Sequence, residues 1–526
     1  MSRKDIEAKA DEVATAEQEE ILWWFRNHVF TPVRRCDLPH DANVVPHKWV
    51  VSQKDLPDQM GQQVKCRLVA VGSQDQRVNM RRYSPTIGKE TIKIALQICA
   101  SKGFKLKTFD FKKAYLNANI TEDHGEVYMR PPRSANTSPG TIWKLNKAVY
   151  GLNDSGRNWW LKLNRVMQEI GYEPSNHDQA LYYRRNKKPL AIEGIIMTNV
   201  DDLMVGATES EHQRFESLLL KTNLEFTKNE GSVLKFLGLI VEQAQEKKVS
   251  RNGHEYTQSE FRVSVEQKIY DELEEIEDPE NLRGSLSEDE EYWARAMIGK
   301  AAWLMTSIRA DLTGDVSILQ QEMTNDKRKD IIPKVNSLIR KALDHRGLML
   351  TIKYMFKPQL IMYTDASYDS NTGNSQLGYM LLTKEEDEFR CNVLTWGSRK
   401  NARKTVSSTA AETHAYWMAI DKLAHALSIF WEIGMERRIK DARLMVDNFN
   451  ACTTIDDRGA NGNELQLNPY YASIKRTKAA YNILIQWTAG MKMLADPLTK
   501  RTKTKTLLTT MRKNEFQFEL DPHTFA

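Results

Sequence analysis

The sequence predicts a mixed α/β chain of several units, two of which carry their own set of carboxylates. Three observations lead there. Two apolar runs, Ile192 to Met197 and Leu203 to Val205, bracket the polar tetrapeptide Asn199-Val200-Asp201-Asp202, a strand–tight turn–strand pattern. From about 356 onward the segments read in the order β-β-β-α-β. Between these regions the stretches Asp271 to Glu280 and Ser287 to Glu291 are dense in acids and mark a solvated boundary or a surface helix.

The elements follow in order. Met1 to Glu20 is charged and alanine-rich and reads as a helix running on into Ile21-Leu22-Trp23-Trp24-Phe25. Trp49-Val50-Val51 and the run Cys66 to Val71 are paired strands flanking a turn near Gly61. Thr91 to Ser101 places Ile92, Ile94, Ala95 and Ile98 at helical spacing. Lys105 to Phe111 alternates as a strand does, and Asn158 to Ile170 is a helix ended by Gly171. Tyr292 to Ile308 and Lys334 to Leu343 are further helices. In the last unit Leu360 to Asp365, Gly378 to Leu382 and Val393 to Trp396 are strands, Thr409 to Trp431 is a long helix, and Arg443 to Asp447 is a strand. The residues after 500 are basic, with Lys500, Arg501, Lys503, Lys505, Arg512 and Lys513.

A chain of 526 residues suits two to four domains at roughly 100–200 residues each. Its 41% apolar and 28% charged residues are an ordinary soluble composition with material for real cores. A net charge of +5 does not announce a nucleic-acid partner, so any basic surface must come from local clustering. Cys36, Cys66, Cys99, Cys391 and Cys452 are scattered and form no C-x-x-C pair. That pattern argues against a disulfide framework or a zinc knuckle and for a reducing compartment. No apolar run approaches a membrane span, and the N-terminus is not a signal peptide.

Asp201-Asp202 sits between two apolar runs, which forces the pair to a hairpin tip. Asp110 ends another alternating strand and could meet the pair across a sheet. Such convergence of like charges is repulsive unless a cation is present. Divalent cations roughly 3.5–4 Å apart, held by carboxylate oxygens, are what phosphoryl transfer to a nucleic-acid 3′ end requires. Taken alone, an Asp-Asp pair is more often a solvated turn.

The surroundings change that weighting. Lys65-Cys66-Arg67-Leu68-Val69-Ala70-Val71-Gly72, Tyr83-Ser84-Pro85, and Phe109-Asp110-Phe111-Lys112-Lys113-Ala114-Tyr115-Leu116-Asn117 come first. Val127-Tyr128-Met129-Arg130-Pro131-Pro132, the run Trp143 to Leu152, Asn199-Val200-Asp201-Asp202 and Phe236-Leu237-Gly238 follow. As an ordered set over residues 40–245 they resemble the reverse transcriptase of the copia-type (Ty1/copia) retrotransposon Pol polyprotein. The resemblance implies that Asp110, Asp201 and Asp202 are metal ligands, with Asp201 the stronger of the turn pair. Lys65 and Arg67 lie two apart on one strand and so share a face. By the resemblance they grip the triphosphate of an incoming nucleotide. Tyr115 resembles a steric gate against a ribose 2′-hydroxyl. Two positions depart from the family. Asn199 stands where an aromatic is usual. Asn153-Asp154-Ser155-Gly156-Arg157 replaces a Lys-Gln-Ala-Pro-Arg stretch, and the lost Gln puts template or nucleotide contacts at that loop in doubt.

The last unit carries Asp365 and Asp447 at strand ends, Glu412 in an apolar helix, and Asp496 in Ala495-Asp496-Pro497-Leu498-Thr499-Lys500. A carboxylate among Ala410, Ala411, Ala415 and Trp417 is costly unless paired or bound to metal. With Tyr363-Thr364-Asp365-Ala366, the run Trp396 to Lys400, the run Ser407 to Glu412, and Val446-Asp447-Asn448, these pieces resemble the ribonuclease H that follows copia-type polymerases. Ser407 and Ser408 read as helix caps rather than chemistry. Arg309-Ala310-Asp311 resembles the family's connecting region and receives no chemistry.

The resemblance implies a right-hand polymerase followed by a ribonuclease H-like mixed-sheet domain. The expected division is a helical lead-in over 1–40, fingers and palm over 41–245, a helical thumb and connection over 246–355, the nuclease over 356–502, and a basic tail over 503–526. The implied activity is RNA-directed DNA synthesis with cleavage of RNA in RNA–DNA hybrids, using two Mg²⁺ per site with Mn²⁺ as the alternative. The implied partners are an RNA template, a primer such as a transfer RNA, deoxynucleoside triphosphates and the hybrid, without a membrane, with a homo- or hetero-oligomer as an open option. The implied location is the cytoplasm, within virus-like particles, with nuclear entry. A reading of another class is a domesticated or decayed copy that binds nucleic acid without catalysis. No Asp-Thr-Gly or Asp-Ser-Gly protease motif and no His-His-Cys-Cys array occurs, as expected for the C-terminal part of a polyprotein or a truncated gene product.

Overall fold

Side-chain alternation sets the first layer. In a computed structural model, which describes residues 1, 3–55, 61–121, 125–186, 191–244, 247–251, 254–325, 327–386, 388–435, 439, 441–448, 455, 462–501 and 504–517, strands β1 (His47–Asp55) and β2 (Gln62–Ala70) pair antiparallel. Along β2 the buried Val64, Cys66, Leu68 and Ala70 alternate with the exposed Gln63, Lys65 and Arg67. The buried face meets the N-terminal helix Ala10–Arg26, where Cys66 Sγ donates to the Val13 carbonyl at 3.7 Å. The turn expected near Gly61 includes residues 56–60, and Cys452 also lies outside the described residues.

Helix α1 (Lys89–Lys102) ends at Gly103, whose φ of 67° is the left-handed cap that glycine adopts without strain. It leads into strand β3 (Lys105–Phe111), part of a six-stranded sheet. Helix α2 (Ser155–Ile170) covers the sheet, and strands β4 (Ile192–Asn199) and β5 (Asp202–Ala207) form its central hairpin. The apolar runs are explained by burial on both faces. Ile196, Leu203 and Val205 pack with α2, whereas Ile195, Met197 and Met204 join the core shared with α1.

Between the six-stranded sheet and the last unit stands a region that holds strands as well as helices. Val233–Phe236, Leu239–Gln243, Glu260–Val265 and Leu350–Lys353 form a four-stranded sheet. The expectation over 246–355 was a helical thumb and connection; beside its helices this stretch holds the strand 260–265, which pairs back onto 239–243. Helices α3 (Glu288–Ser307), α4 (Thr313–Asn325) and α5 (Ile331–Asp344) complete this region. The acidic stretch 287–291 is the start of α3. Ser287 and Glu290 form a capping box there, and four acids occupy the first turn, where the helix dipole favours them.

In the last unit strands β6 (Pro358–Tyr368), β7 (Ser375–Glu385) and β8 (Cys391–Lys400) run antiparallel. Helix α6 (Ser408–Glu432) then crosses to β9 (Ala442–Val446), which lies parallel to β6, and β10 (Ile483–Trp487) lies parallel to β9. The sheet order is β8-β7-β6-β9-β10. Ser407 caps α6, its hydroxyl accepting from Ala410 N at 3.0 Å, as expected. The basic tail is not free where it is described. Lys505–Lys513 is a helix that buries Leu507, Leu508 and Met511, because its apolar residues recur at helical spacing. Among the described residues no helix is long and apolar enough to cross a membrane.

Candidate active sites

The first site is built by strand pairing. Asp202 opens β5 directly opposite Asp110 on β3, and Asp201 occupies the turn before it. The turn is tight: Asn199 pairs with Asp202, and Val200 sits at φ 54°, a region that β-branched residues rarely adopt. Two contacts hold it. Trp159 Nε1 donates to the Val200 carbonyl at 2.6 Å, and Phe111 N donates to the Asp201 carbonyl at 3.0 Å.

Asp110 is exposed, while Asp201 and Asp202 are half-buried. Burial, then the charges of Asp201 and Asp110, push the Asp202 carboxyl up to about 6. Asp201 is also raised, by burial first and then by Asp110, and is drawn back by the nearby Arg67 and Lys65. The strand face predicted to carry both cations therefore looks at the carboxylate tip. The three acids do not close as tightly as those of the second site, described below. Tyr115 stands edge-on to Tyr150 at 5.3 Å, feels the Asp201 charge, and forms one wall with Arg67, which lies 5.7 Å from the Tyr150 ring.

The departure at Asp154 has a structural account. This carboxylate is buried and points inward, taking two hydrogen bonds from Arg77 at 2.9 and 3.1 Å. Arg77 also binds Asp75 at 2.8 Å. Asp154 is thus a partner of Arg77, not a template-facing substitute for glutamine.

The second site gathers Asp365, Glu412 and Asp447. One oxygen of each lies within 4.8 Å of the others. Asp365 comes from β6, Glu412 from the first turns of α6, and Asp447 follows β9, so the parallel β6–β9 pairing brings the two aspartates to neighbouring strand ends. Burial, then Asp365 and Asp447, lift the Glu412 carboxyl to about 9. Burial lifts Asp365 to about 6, opposed by Lys500. Glu412 Oε2 is buried without a hydrogen-bond partner, an orphaned acceptor aimed among carboxylates. A divalent cation fits that donor set: hard oxygens, crowded negative charge and an unused lone pair.

Asp496, predicted as a fourth member, stands beside this trio rather than in it. Lys500 bridges the two, 2.6 Å from Asp496 Oδ1 and 3.6 Å from Asp365 Oδ2, and Thr499 Oγ1 donates to Asp365 Oδ2. Thr499 and Lys500 were in view in the sequence motif, yet nothing in their spacing assigned them contacts. Trp159 and Tyr150 were missed as well; an aromatic on a helix reads as core until its ring nitrogen is seen to reach a turn.

The family model for reverse transcriptase (RNA-dependent DNA polymerase) matches residues 27–269. A Pol polyprotein from transposon RE2 of Arabidopsis thaliana is 24% identical over 416 residues, 76% of this chain and 27% of that protein. The Ty1-DR6 Gag-Pol polyprotein of Saccharomyces cerevisiae is 23% identical, over 84% of this chain and 26% of its own length. The chain therefore spans about a quarter of the curated relatives it matches. A solved foamy viral protease-reverse transcriptase in complex with double-stranded DNA covers 90% of this chain and 69% of its own, at 11% identity and a TM-score of 0.48. The chain is similar to copia-type retrotransposon Pol polyproteins, and its residues 27–269 match the reverse transcriptase (RNA-dependent DNA polymerase) family.

Proposed function

We propose that this chain copies RNA into DNA at the Asp110–Asp201–Asp202 site and cleaves the RNA strand of RNA–DNA hybrids at the Asp365–Glu412–Asp447 site. The carrying observation is the register that sets Asp202 opposite Asp110, with Asp201 at the tip under the influence of Lys65 and Arg67. Such a juxtaposition of acids and cations suits a nucleotide triphosphate whose reacting phosphate must meet a 3′ hydroxyl.

In this reading Lys65 and Arg67 bind and orient the triphosphate through charge-assisted hydrogen bonds. Tyr115, buttressed by Tyr150, limits the room beside the sugar and selects deoxynucleotides. Asp110, Asp201 and Asp202 would hold divalent cations, magnesium by the hardness of their oxygens. Bound there, such ions activate the attacking oxygen and neutralise charge on the leaving one. In the nuclease unit Asp365, Glu412 and Asp447 would hold the cation, and Asp496 with Lys500 would border it. RNA template, primer and hybrid would be gripped through phosphate contacts from clustered Lys and Arg, so that binding weakens steeply with salt.

Two assays test the reading separately. RNA-templated primer extension with magnesium should be lost in Asp201→Asn, and hybrid digestion should be lost in Glu412→Gln. Equal DNA synthesis by wild type and Asp201→Asn would remove the polymerase assignment, and equal digestion by wild type and Glu412→Gln the nuclease one. A wild type that binds hybrid yet does neither would be a binding protein.

A further inference from the structure

Residues Asp496–Thr499 form a single helical turn that delivers Thr499 to Asp365. Two glycines enclose this turn. Gly378, directly opposite Asp365 in the β6–β7 register, is one; a Cβ there would stand 2.7 Å from Thr499 Cγ2. The other is Gly314, which belongs to α4 and not to the nuclease sheet. A Cβ at Gly314 would stand 2.5 Å from the Pro497 carbonyl oxygen and 3.1 Å from that of Lys500. Both are backbone atoms and cannot swing aside as a side-chain tip can. Gly314 lies in a right-handed helix, so close approach, rather than backbone conformation, is what glycine serves here.

The same helix also holds the residue after the turn. Arg501 reaches Glu322 at 3.5 Å and Asp315 at 4.0 Å, both on α4. On its inner side the turn is fastened to the nuclease sheet. Ser367 Oγ donates to the Thr499 carbonyl at 3.0 Å, and Lys500 lies 3.6 Å from Asp365. The segment bordering the nuclease carboxylates is therefore seated between its own sheet and a helix, Thr313–Asn325, that precedes that sheet's first strand, Pro358–Tyr368, in the chain.

We infer that Gly314 and Arg501 are positioning residues for the nuclease site: α4 sets the seat of the 496–500 turn, so the nuclease carboxylates take part of their alignment from the connecting region. The inference rests on the nuclease reading above. A side chain at 314 has to displace the turn, and with it Thr499 and Lys500 relative to Asp365. Partners of this kind orient metal-binding carboxylates, and their loss weakens metal affinity by about 10–100-fold.

The test uses the full chain with Gly314→Val and Arg501→Gln, and Gly299→Ala as control, since a Cβ at Gly299 meets nothing within 4 Å. Two quantities are measured: the Mg²⁺ concentration for half-maximal hybrid cleavage, and hydrogen exchange over 495–501 in metal-free protein. In Gly314→Val the Mg²⁺ requirement should rise by about 10–100-fold, with the hybrid KM and RNA-templated synthesis unchanged. Exchange should quicken over 495–501 and not over 192–207. An unchanged Mg²⁺ requirement with unchanged exchange overturns the inference, as does faster exchange throughout the chain. Should Gly314→Val fail to fold, Gly314→Ala carries the same comparison. If wild-type cleavage does not depend on Glu412, it is the nuclease reading that fails, and the exchange data still decide where the turn is seated.

Discussion

The indole Nε1 of Trp159 donates to the carbonyl of Val200 at 2.6 Å, one residue before the first carboxylate of the hairpin tip. The same ring lies edge-on to Phe111 at 5.4 Å, one residue after Asp110. One side chain from α2 therefore braces both the strand that carries Asp110 and the turn that carries Asp201. A β-branched residue at φ 54° stores strain of about 1–3 kcal/mol, and such a turn persists only where its surroundings hold it.

Replacing Trp159 by Phe keeps a ring but removes the donor. The stranded carbonyl should cost about 1–3 kcal/mol. Misplacement of Asp201 should lower RNA-templated synthesis by about tenfold or more, with hybrid cleavage untouched. Steady-state synthesis by the variant at the wild-type rate would show that the turn holds its shape without the indole.

Arg77 and Asp154 offer a second test. Both side chains are buried and bonded bidentately, with Asp75 as the third member. Removing one partner of such a pair strands a buried charge, which typically costs about 3–5 kcal/mol. Arg77→Met should therefore destabilise strongly in urea unfolding. In the background Asp75→Asn, Asp154→Asn the same change should be much milder. Additive losses across that cycle would mean the three groups do not act as one unit.

That triad also marks how far the sequence could be read. The hairpin at 192–207 and the β-β-β-α-β order were legible because burial on alternate faces leaves a period in the sequence. Asp110, Asp201 and the Asp365–Glu412–Asp447 trio were singled out by the ordered motifs around them, which resemble a known family; taken alone, acids of this kind are mostly solvated. The role of Asp154 was not legible. The departure was visible, but its consequence depended on Arg77, 77 positions away, and no local pattern links the two. Arg309 was opaque for the same reason. It is fully buried, paired with Asp311, and donates to the Lys341 and Ala342 carbonyls at the end of α5, a role set by tertiary packing. The strands at 233–236 and 260–265 alternate in burial, but the pairing that joins 260–265 to 239–243 and to 350–353 links segments far apart in sequence and leaves no local mark.

The orphaned Oε2 of Glu412 gives a third prediction. With its pKa lifted to about 9, the buried Glu412 carboxyl is held mostly protonated at pH 8, where the unfolded chain would ionise it, and this destabilises the metal-free chain. Glu412→Gln should raise the metal-free melting temperature at pH 8 while losing hybrid cleavage. Magnesium should stabilise the wild type more than the variant. Identical magnesium-induced shifts, measured by calorimetry in an Asp201→Asn background, would place the cation elsewhere.

Lys93 is the clearest pH-sensitive group away from both sites. It is 4% exposed on α1, with Nζ 3.6 Å from the Trp396 ring centroid of β8 and donating to the Thr306 carbonyl of α3 at 3.2 Å. Three regions meet at this ammonium. Burial, then the charge of Lys89, pushes its pKa down to about 7, with Glu90 opposing. Between that value and the unfolded lysine pKa of about 10.4, the unfolded chain binds a proton that the folded chain does not. Stability from this group therefore rises with pH across that window, and below pH 7 the buried charge destabilises in full. The slope is at most about 1.4 kcal/mol per pH unit, the equivalent of one proton. Lys93→Met should be more stable than wild type near pH 6.5, with the difference shrinking toward pH 10. Urea unfolding at three pH values, compared as wild type minus variant to cancel other titrations, reads this directly. A difference that is flat or grows with pH would mean that Lys93 stays charged in the folded chain, held by Trp396 and Thr306.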